Sequence, residues 1–142
     1  EKIKTITGVE PTLLRPPYGD YDNALIETMN ELKMYTIQWD VDSLDWKGLS
    51  ANEILSRVKA STKSGSIILF HNNSDHILEA LPLVISYLKT EGYSIVKISQ
   101  LLGLKTRVFP RFFAHYIIGT MGVEYSLKKK TATVAATTMA EM

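Results

Sequence analysis

The sequence predicts an α/β fold in which a parallel sheet is covered by outer helices, and two observations carry that prediction. From residue 1 to about residue 103, short apolar runs alternate with stretches whose apolar residues recur at helical spacing. The chemically versatile residues Arg15, Asp42, Asp45, Trp46 and His71 all fall at the carboxyl ends of successive strand-like runs. Parallel α/β folds gather their functional groups at that end, whereas random placement would scatter them over both.

Residues 1–7 read as the end of a helix, stopped by Gly8, which takes the left-handed C-terminal position without strain. Thr12-Leu13-Leu14 is a short apolar run entering Arg15-Pro16-Pro17-Tyr18-Gly19, whose paired prolines exclude a helix and impose an extended or turning backbone. Asp22 is placed to cap a helix to about Met34, with Leu25, Ile26, Met29 and Leu32 at helical spacing. Residues 35–41 are rich in β-formers and predict one buried strand. Ser50 and Glu53 match a capping box, and the helix that they open carries Ile54, Leu55 and Val58 on one face until Gly65. Residues 66–70 are the next strand and residues 78–89 the next helix, with Pro82 early enough to be tolerated. Gly92 ends that helix, residues 93–98 form a strand, and residues 99–102 close with a short helical turn. Residues 105–142 form an unassigned tail, apolar and aromatic over 112–123, basic over 128–130, small and repetitive over 131–138. A peripheral appendage is expected there, with a helix or strand around 115–118.

Length and composition bound the rest. A chain of 142 residues can bury a core of its own. A net charge of +1, with no basic stripe interleaved with aromatics, argues against a nucleic-acid partner. The absence of cysteine excludes disulfides, thiolate catalysis and cysteine zinc sites. No apolar run approaches the ~20 residues of a membrane span. Glu1-Lys2-Ile3-Lys4 reads as mid-helix, so residue 1 is not expected to be a natural domain start.

His71 follows a strand and suits proton transfer near neutral pH. A carboxylate bonded to its far nitrogen would fix the tautomer and make it a competent general acid, and Asp45, at the end of the neighbouring strand, is the candidate. The alternative is a strand-end histidine satisfied by backbone. Arg15, held by its prolines, can orient a carboxylate or can serve as a structural ion pair. Tyr18 lies in a tight turn where a backbone N–H could act as an oxyanion donor. Trp46 is either a flat wall for a sugar ring or a core aromatic. Asp75 and His76 do not have metal-ligand spacing, and capping of the next helix by Asp75 is expected instead.

In order and spacing, Arg15-Pro16-Pro17-Tyr18-Gly19, Asp42-Ser43-Leu44-Asp45-Trp46 and Leu69-Phe70-His71 resemble the last three of five motifs of the polysaccharide deacetylase family, carbohydrate esterase family 4. Residues 1–104 are similar to the C-terminal part of that catalytic domain, above all in bacterial spore-former-type members. The resemblance implies an irregular (β/α) barrel of parallel strands and outer helices. It also implies a metal-dependent hydrolase that removes N-acetyl groups from an amino-sugar polymer such as peptidoglycan or a chitin-like glycan.

By the same resemblance His71 would protonate the departing amine, with Asp45 tuning it. Arg15 would orient the catalytic-base aspartate, and the Tyr18 amide would help to hold the oxyanion. Leu69 would line the acetyl-methyl pocket, Trp46, Pro16, Pro17 and Tyr18 would border the glycan groove, and Asp42 would give a supporting hydrogen bond. The family's Asp-Asp and His-x-x-x-His motifs, which supply the base and the zinc ligands, do not occur here. The divalent metal, expected to be zinc, and its base are therefore expected on a separate N-terminal segment of the same domain, without which this chain would be inactive. The family also implies an extracytoplasmic or cell-wall location. A non-catalytic glycan-binding remnant and an esterase acting on acetylated xylan are the competing expectations.

Overall fold

The structure, a computed structural model, describes residues 2–103 and the backbone of residues 130–137. Two compact units divide the described residues, one ending at Gln38 and one starting at Trp39 and including 130–137.

In the first unit, α1 (Lys2–Thr7) ends at Gly8, whose amide reaches the Lys4 carbonyl at φ 72°. β1 (Leu13–Leu14) pairs parallel with β2 (Tyr35–Thr36), and α2 (Asn23–Glu31) joins them. The Asp22 carboxylate accepts from the Leu25 amide at 2.8 Å, the N-cap that its position predicts. α2 stops three residues short of the expected Met34. Lys33 turns left-handed at φ 56°, and the amides of Lys33 and Met34 return to the carbonyls of Asn30 and Met29. That closure is a Schellman motif built without glycine, which is why no sequence signal marked it.

In the second unit, β3 (Val41–Asp42), β4 (Ser66–His71), β5 (Tyr93–Ile95) and β6 (Lys130–Thr137) form one parallel sheet in the order β3-β4-β6-β5. α3 (Ala51–Ser61) and α4 (Ile77–Thr90) supply the cover and a short α5 (Ile98–Leu101) follows β5. The parallel α/β class is therefore as expected. The single strand expected over 35–41 is instead two, β2 pairing with β1 and β3 with β4. Asp40 marks the change. Its carboxylate accepts from the Ile67 amide at 2.7 Å and the Ser66 hydroxyl at 2.9 Å, while its own amide donates to the Ile67 carbonyl at 3.2 Å. β5 is likewise three residues shorter than expected, because Lys97 opens α5.

The strand β6 lies within the stretch expected to be a peripheral appendage. It takes up a full edge of β4, with Ser66 opposite Ala132 and His71 opposite Thr137. The Thr- and Val-containing sequence suits a strand, but its partners β4 and β5 pair from far back in the chain, Ser66 with Ala132 and Tyr93 with Lys130, beyond the reach of a local pattern. The element expected around 115–118 lies outside the described residues, as does the rest of the 105–142 tail.

The core joins the sheet to α3 and α4 through Val41, Ile54, Val58, Ile68, Phe70, Ala80, Val84 and Leu88. Ile54, Ile68 and Leu88 are wholly buried, each worth roughly 1.5–3 kcal/mol of apolar transfer. The apolar face predicted for α3 is the face that packs, and Pro82 leaves α4 continuous.

At the start of α3 the predicted capping box forms in both directions. The Glu53 amide donates to Ser50 Oγ, and Glu53 Oε2 accepts from the Ser50 amide at 2.8 Å and from the Ser50 hydroxyl. Those donors, the hydroxyl first and the amide second, hold the Glu53 carboxyl below its ordinary pKa. A carboxylate with a depressed native pKa stabilises the fold above its unfolded pKa and loses that contribution as pH falls through the native value. Ser50→Ala should cost about 1 kcal/mol at neutral pH. The gap between the thermal melts of the two forms should narrow as the solution is acidified below the carboxylate range, leaving the part that comes from the Glu53 amide on Ser50 Oγ; an equal gap throughout would exclude the Glu53 carboxylate from the cap.

Candidate active site

β4 carries the central side chain. Strand alternation sends Ile68 and Phe70 into the helix-covered core, and Ile67, Leu69 and His71 to the opposite face. Leu69 is buried two residues before His71, and His71 is the last residue of the strand rather than the first beyond it. β3 runs alongside with Asp42 in register with Leu69, so the chain leaving β3 turns next to His71.

The turn after β3 is built by its own polar side chains. Asp42 Oδ1 accepts from the Leu44 amide at 3.0 Å, an Asx-type turn that supports the left-handed Leu44 (φ 52°). A 3₁₀ turn, Asp45–Lys47, follows and ends at a left-handed Gly48. Asp45 thereby points inward, its side chain fully buried, while Trp46 stands 55% exposed.

Asp45 and His71 meet twice. Asp45 Oδ2 accepts from the His71 amide at 2.8 Å, and Oδ1 lies 2.7 Å from His71 Nδ1. An ionised carboxylate can only accept, so toward it Nδ1 is the donor and Nε2 is the ring nitrogen left for other partners. Two buried serines complete the arrangement. Ser43 Oγ donates to Asp45 Oδ1 at 3.0 Å and accepts from the Asp45 amide, and Ser74 Oγ donates to the Asp45 carbonyl at 2.9 Å. Neither serine stood out in the sequence. The one available signal was a small polar residue between two acidic ones at a strand end.

Trp46 is edge-on to the imidazole, with ring centroids 6.5 Å apart at 71°, and the Lys47 ammonium lies 5.1 Å from the indole centroid. The indole is thus no core aromatic but a partly exposed wall beside His71. In the loop beyond, the expected cap by Asp75 does not form. α4 begins at Ile77, one residue earlier than expected, so His76 takes the N-cap position without a side-chain cap bond. His76 lies 3.6 Å from Glu79 instead.

The structure thus brings together Asp42, Asp45, Trp46, Leu69 and His71 in the second unit. Arg15, Pro16, Pro17 and Tyr18 belong to the first unit, at the carboxyl end of β1. Pro16 is buried there, and Tyr18 is 88% exposed in a 3₁₀ turn (Pro17–Gly19) at φ 57°. A left-handed tyrosine costs of order 1 kcal/mol, and the turn is held by Gln38 Nε2 donating to the Gly19 carbonyl at 2.8 Å. Burial lowers the Arg15 pKa from its ordinary value, yet a guanidinium stays charged at any working pH. Among the described residues no group of three His, Asp or Glu side chains could hold a metal ion.

Residues 1–37 match the polysaccharide deacetylase family. The chain is 35% identical over 107 residues to peptidoglycan-N-acetylglucosamine deacetylase PgdA of Listeria monocytogenes, covering 75% of this chain and 22% of that protein. It superposes on the solved peptidoglycan deacetylase PdaC from Bacillus subtilis with a TM-score of 0.62 at 38% identity, covering 71% of this chain and 48% of the other. A solved CE4 family pseudoenzyme from Bacillus anthracis gives a TM-score of 0.65 at 32% identity, over 70% of this chain and 35% of the other. The chain spans about a fifth of the Listeria protein and under half of each solved structure.

Proposed function

This chain belongs to the polysaccharide deacetylase family, and from that premise we propose that it is part of a hydrolase that removes N-acetyl groups from an amino-sugar polymer. Peptidoglycan is the favoured substrate class, since the Listeria and Bacillus relatives are named for it; a chitin-like glycan is the other. The observation that carries the reading is His71, held by a buried Asp45 once at its backbone amide and once at Nδ1 of its ring, which leaves Nε2 for proton exchange. In the reaction, water adds to the acetyl carbonyl, giving up a proton to the family's base, which would come from residues outside the described ones, and the C–N bond breaks. His71 delivers its Nε2 proton to the departing amine, leaving acetate and a free amino sugar.

The remaining roles follow the family pattern residue by residue. Leu69 lines the methyl pocket, and Trp46, Pro17 and Tyr18 border the glycan; Pro16, expected beside them, is buried and instead fixes the turn that carries Tyr18. The Tyr18 amide supports the oxyanion, Arg15 orients the base, and Asp42 holds the turn that aims Asp45. The described residues do not fit a metal site. The divalent ion of the family and its base would therefore come from residues outside them, a separate N-terminal segment completing an irregular (β/α) barrel. A peptidoglycan substrate places the reaction outside the cytoplasmic membrane. No described helix is long and apolar enough to cross one.

A second reading, glycan binding without catalysis, is favoured by the likeness to the Bacillus anthracis pseudoenzyme. One experiment separates the two: acetate release and glycan binding measured on the same full-length protein, with peptidoglycan and chitooligosaccharides. Acetate release that stops with chelator and returns with zinc supports the hydrolase. Binding without any release, lost in Trp46→Ala and indifferent to chelator, would install the second reading in its place.

A further inference from the structure

We propose that Ser43 is a positioning residue of the His71–Asp45 pair, its buried hydroxyl holding the carboxylate oxygen that faces the imidazole. The proposal rests on the reading of His71 as the proton donor. Ser43 is wholly buried in the turn between β3 and Asp45. Its Oγ receives the Asp45 amide at 3.3 Å and donates its single proton to Asp45 Oδ1 at 3.0 Å. A hydroxyl has one proton to give, so accepting from the amide leaves that proton for the carboxylate.

The oxygen that it contacts is the one 2.7 Å from His71 Nδ1, while the His71 amide engages Oδ2. Each carboxylate oxygen is therefore fixed by a donor other than the imidazole. The carboxylate cannot rotate about its Cβ–Cγ bond without losing a charge-assisted hydrogen bond, and the imidazole meets an acceptor whose direction is already set. Without the hydroxyl, the His71 amide and the ring itself are the remaining holds on that group. Ser74 provides the contrast. It is also buried and also bonded to Asp45, but to the backbone carbonyl, so it ties the loop to the turn and leaves the carboxylate untouched.

The test compares Ser43→Ala, Ser43→Thr and Ser74→Ala in the full-length protein, by steady-state acetate release and by the His71 Nδ1 proton resonance in histidine-labelled samples. Loss of one hydrogen bond to a charged group should lower kcat about tenfold in Ser43→Ala with KM unchanged. The Nδ1 proton should shift and exchange faster with solvent. Ser43→Thr keeps the hydroxyl and should restore both readings, while Ser74→Ala should leave the Nδ1 resonance in place. Should Ser43→Ala not fold, Ser43→Cys, similar in volume but a weak donor, should show the same changes at smaller amplitude. An unmoved Nδ1 resonance in the folded Ser43 variants overturns the proposal. A wild-type protein that releases no acetate overturns the hydrolase reading instead, and the resonance still decides whether Ser43 positions the pair.

Discussion

Replacing His71 by alanine is expected to lower the rate of acetate release by about 10²- to 10⁴-fold, the usual worth of a positioned general acid, with KM close to wild type. The amine leaving an amide is a poor leaving group until it is protonated, and His71 Nε2 is the ring nitrogen not committed to Asp45. The glycan would lie instead against the exposed face of Trp46, which the substitution leaves in place. The variant should also fold. Asp45 keeps two donors, because the residue-71 amide still reaches Oδ2 and Ser43 still reaches Oδ1. Steady-state kinetics on peptidoglycan checks the prediction, and an unchanged rate in a folded His71→Ala protein would remove His71 from the mechanism.

Asp45→Ala should be the more damaging substitution for the fold, at about 3–5 kcal/mol in denaturant unfolding. It strands three donors around a fully buried site: the His71 amide, His71 Nδ1 and the Ser43 hydroxyl. It also leaves a small cavity under the 3₁₀ turn. Asp45→Asn keeps the volume and one acceptor, but its amide protons must face a donor, so it should lose activity with a smaller loss of stability. A cost for Asp45→Ala within the ~0.5 kcal/mol typical of surface substitutions would mean that the carboxylate is not the hub described.

The contact between Asp45 and His71 was legible before the structure because its residue types are costly to place at random. Two carboxylates flanking a serine and leucine, and a histidine at the next strand end, each left a local mark. What was not legible was how the carboxylates divide their work. Asp42 and Asp45 are equivalent in the sequence, three residues apart. The turn between them gives one a backbone amide on its own loop and the other a histidine 26 residues further on. Ser43 and Ser74 were missed for the same reason, since a serine acquires meaning only from the group that its hydroxyl reaches.

Features that depend on neighbours within a few residues were written in the amino-acid order alone. The Asp22 cap, the Ser50–Glu53 box, the stop at Gly8 and the buried stripe of α3 all form where the pattern placed them. The tertiary structure decided what depends on strands returning from far along the chain. It broke residues 35–41 into β2 and β3 and seated β6 between β4 and β5. It also closed both oxygens of Asp45 onto His71. Local hydrogen bonds and periodic burial are written in adjacent residues. Strand partners and buried polar contacts are chosen by the whole chain, through which groups must be satisfied once water is gone.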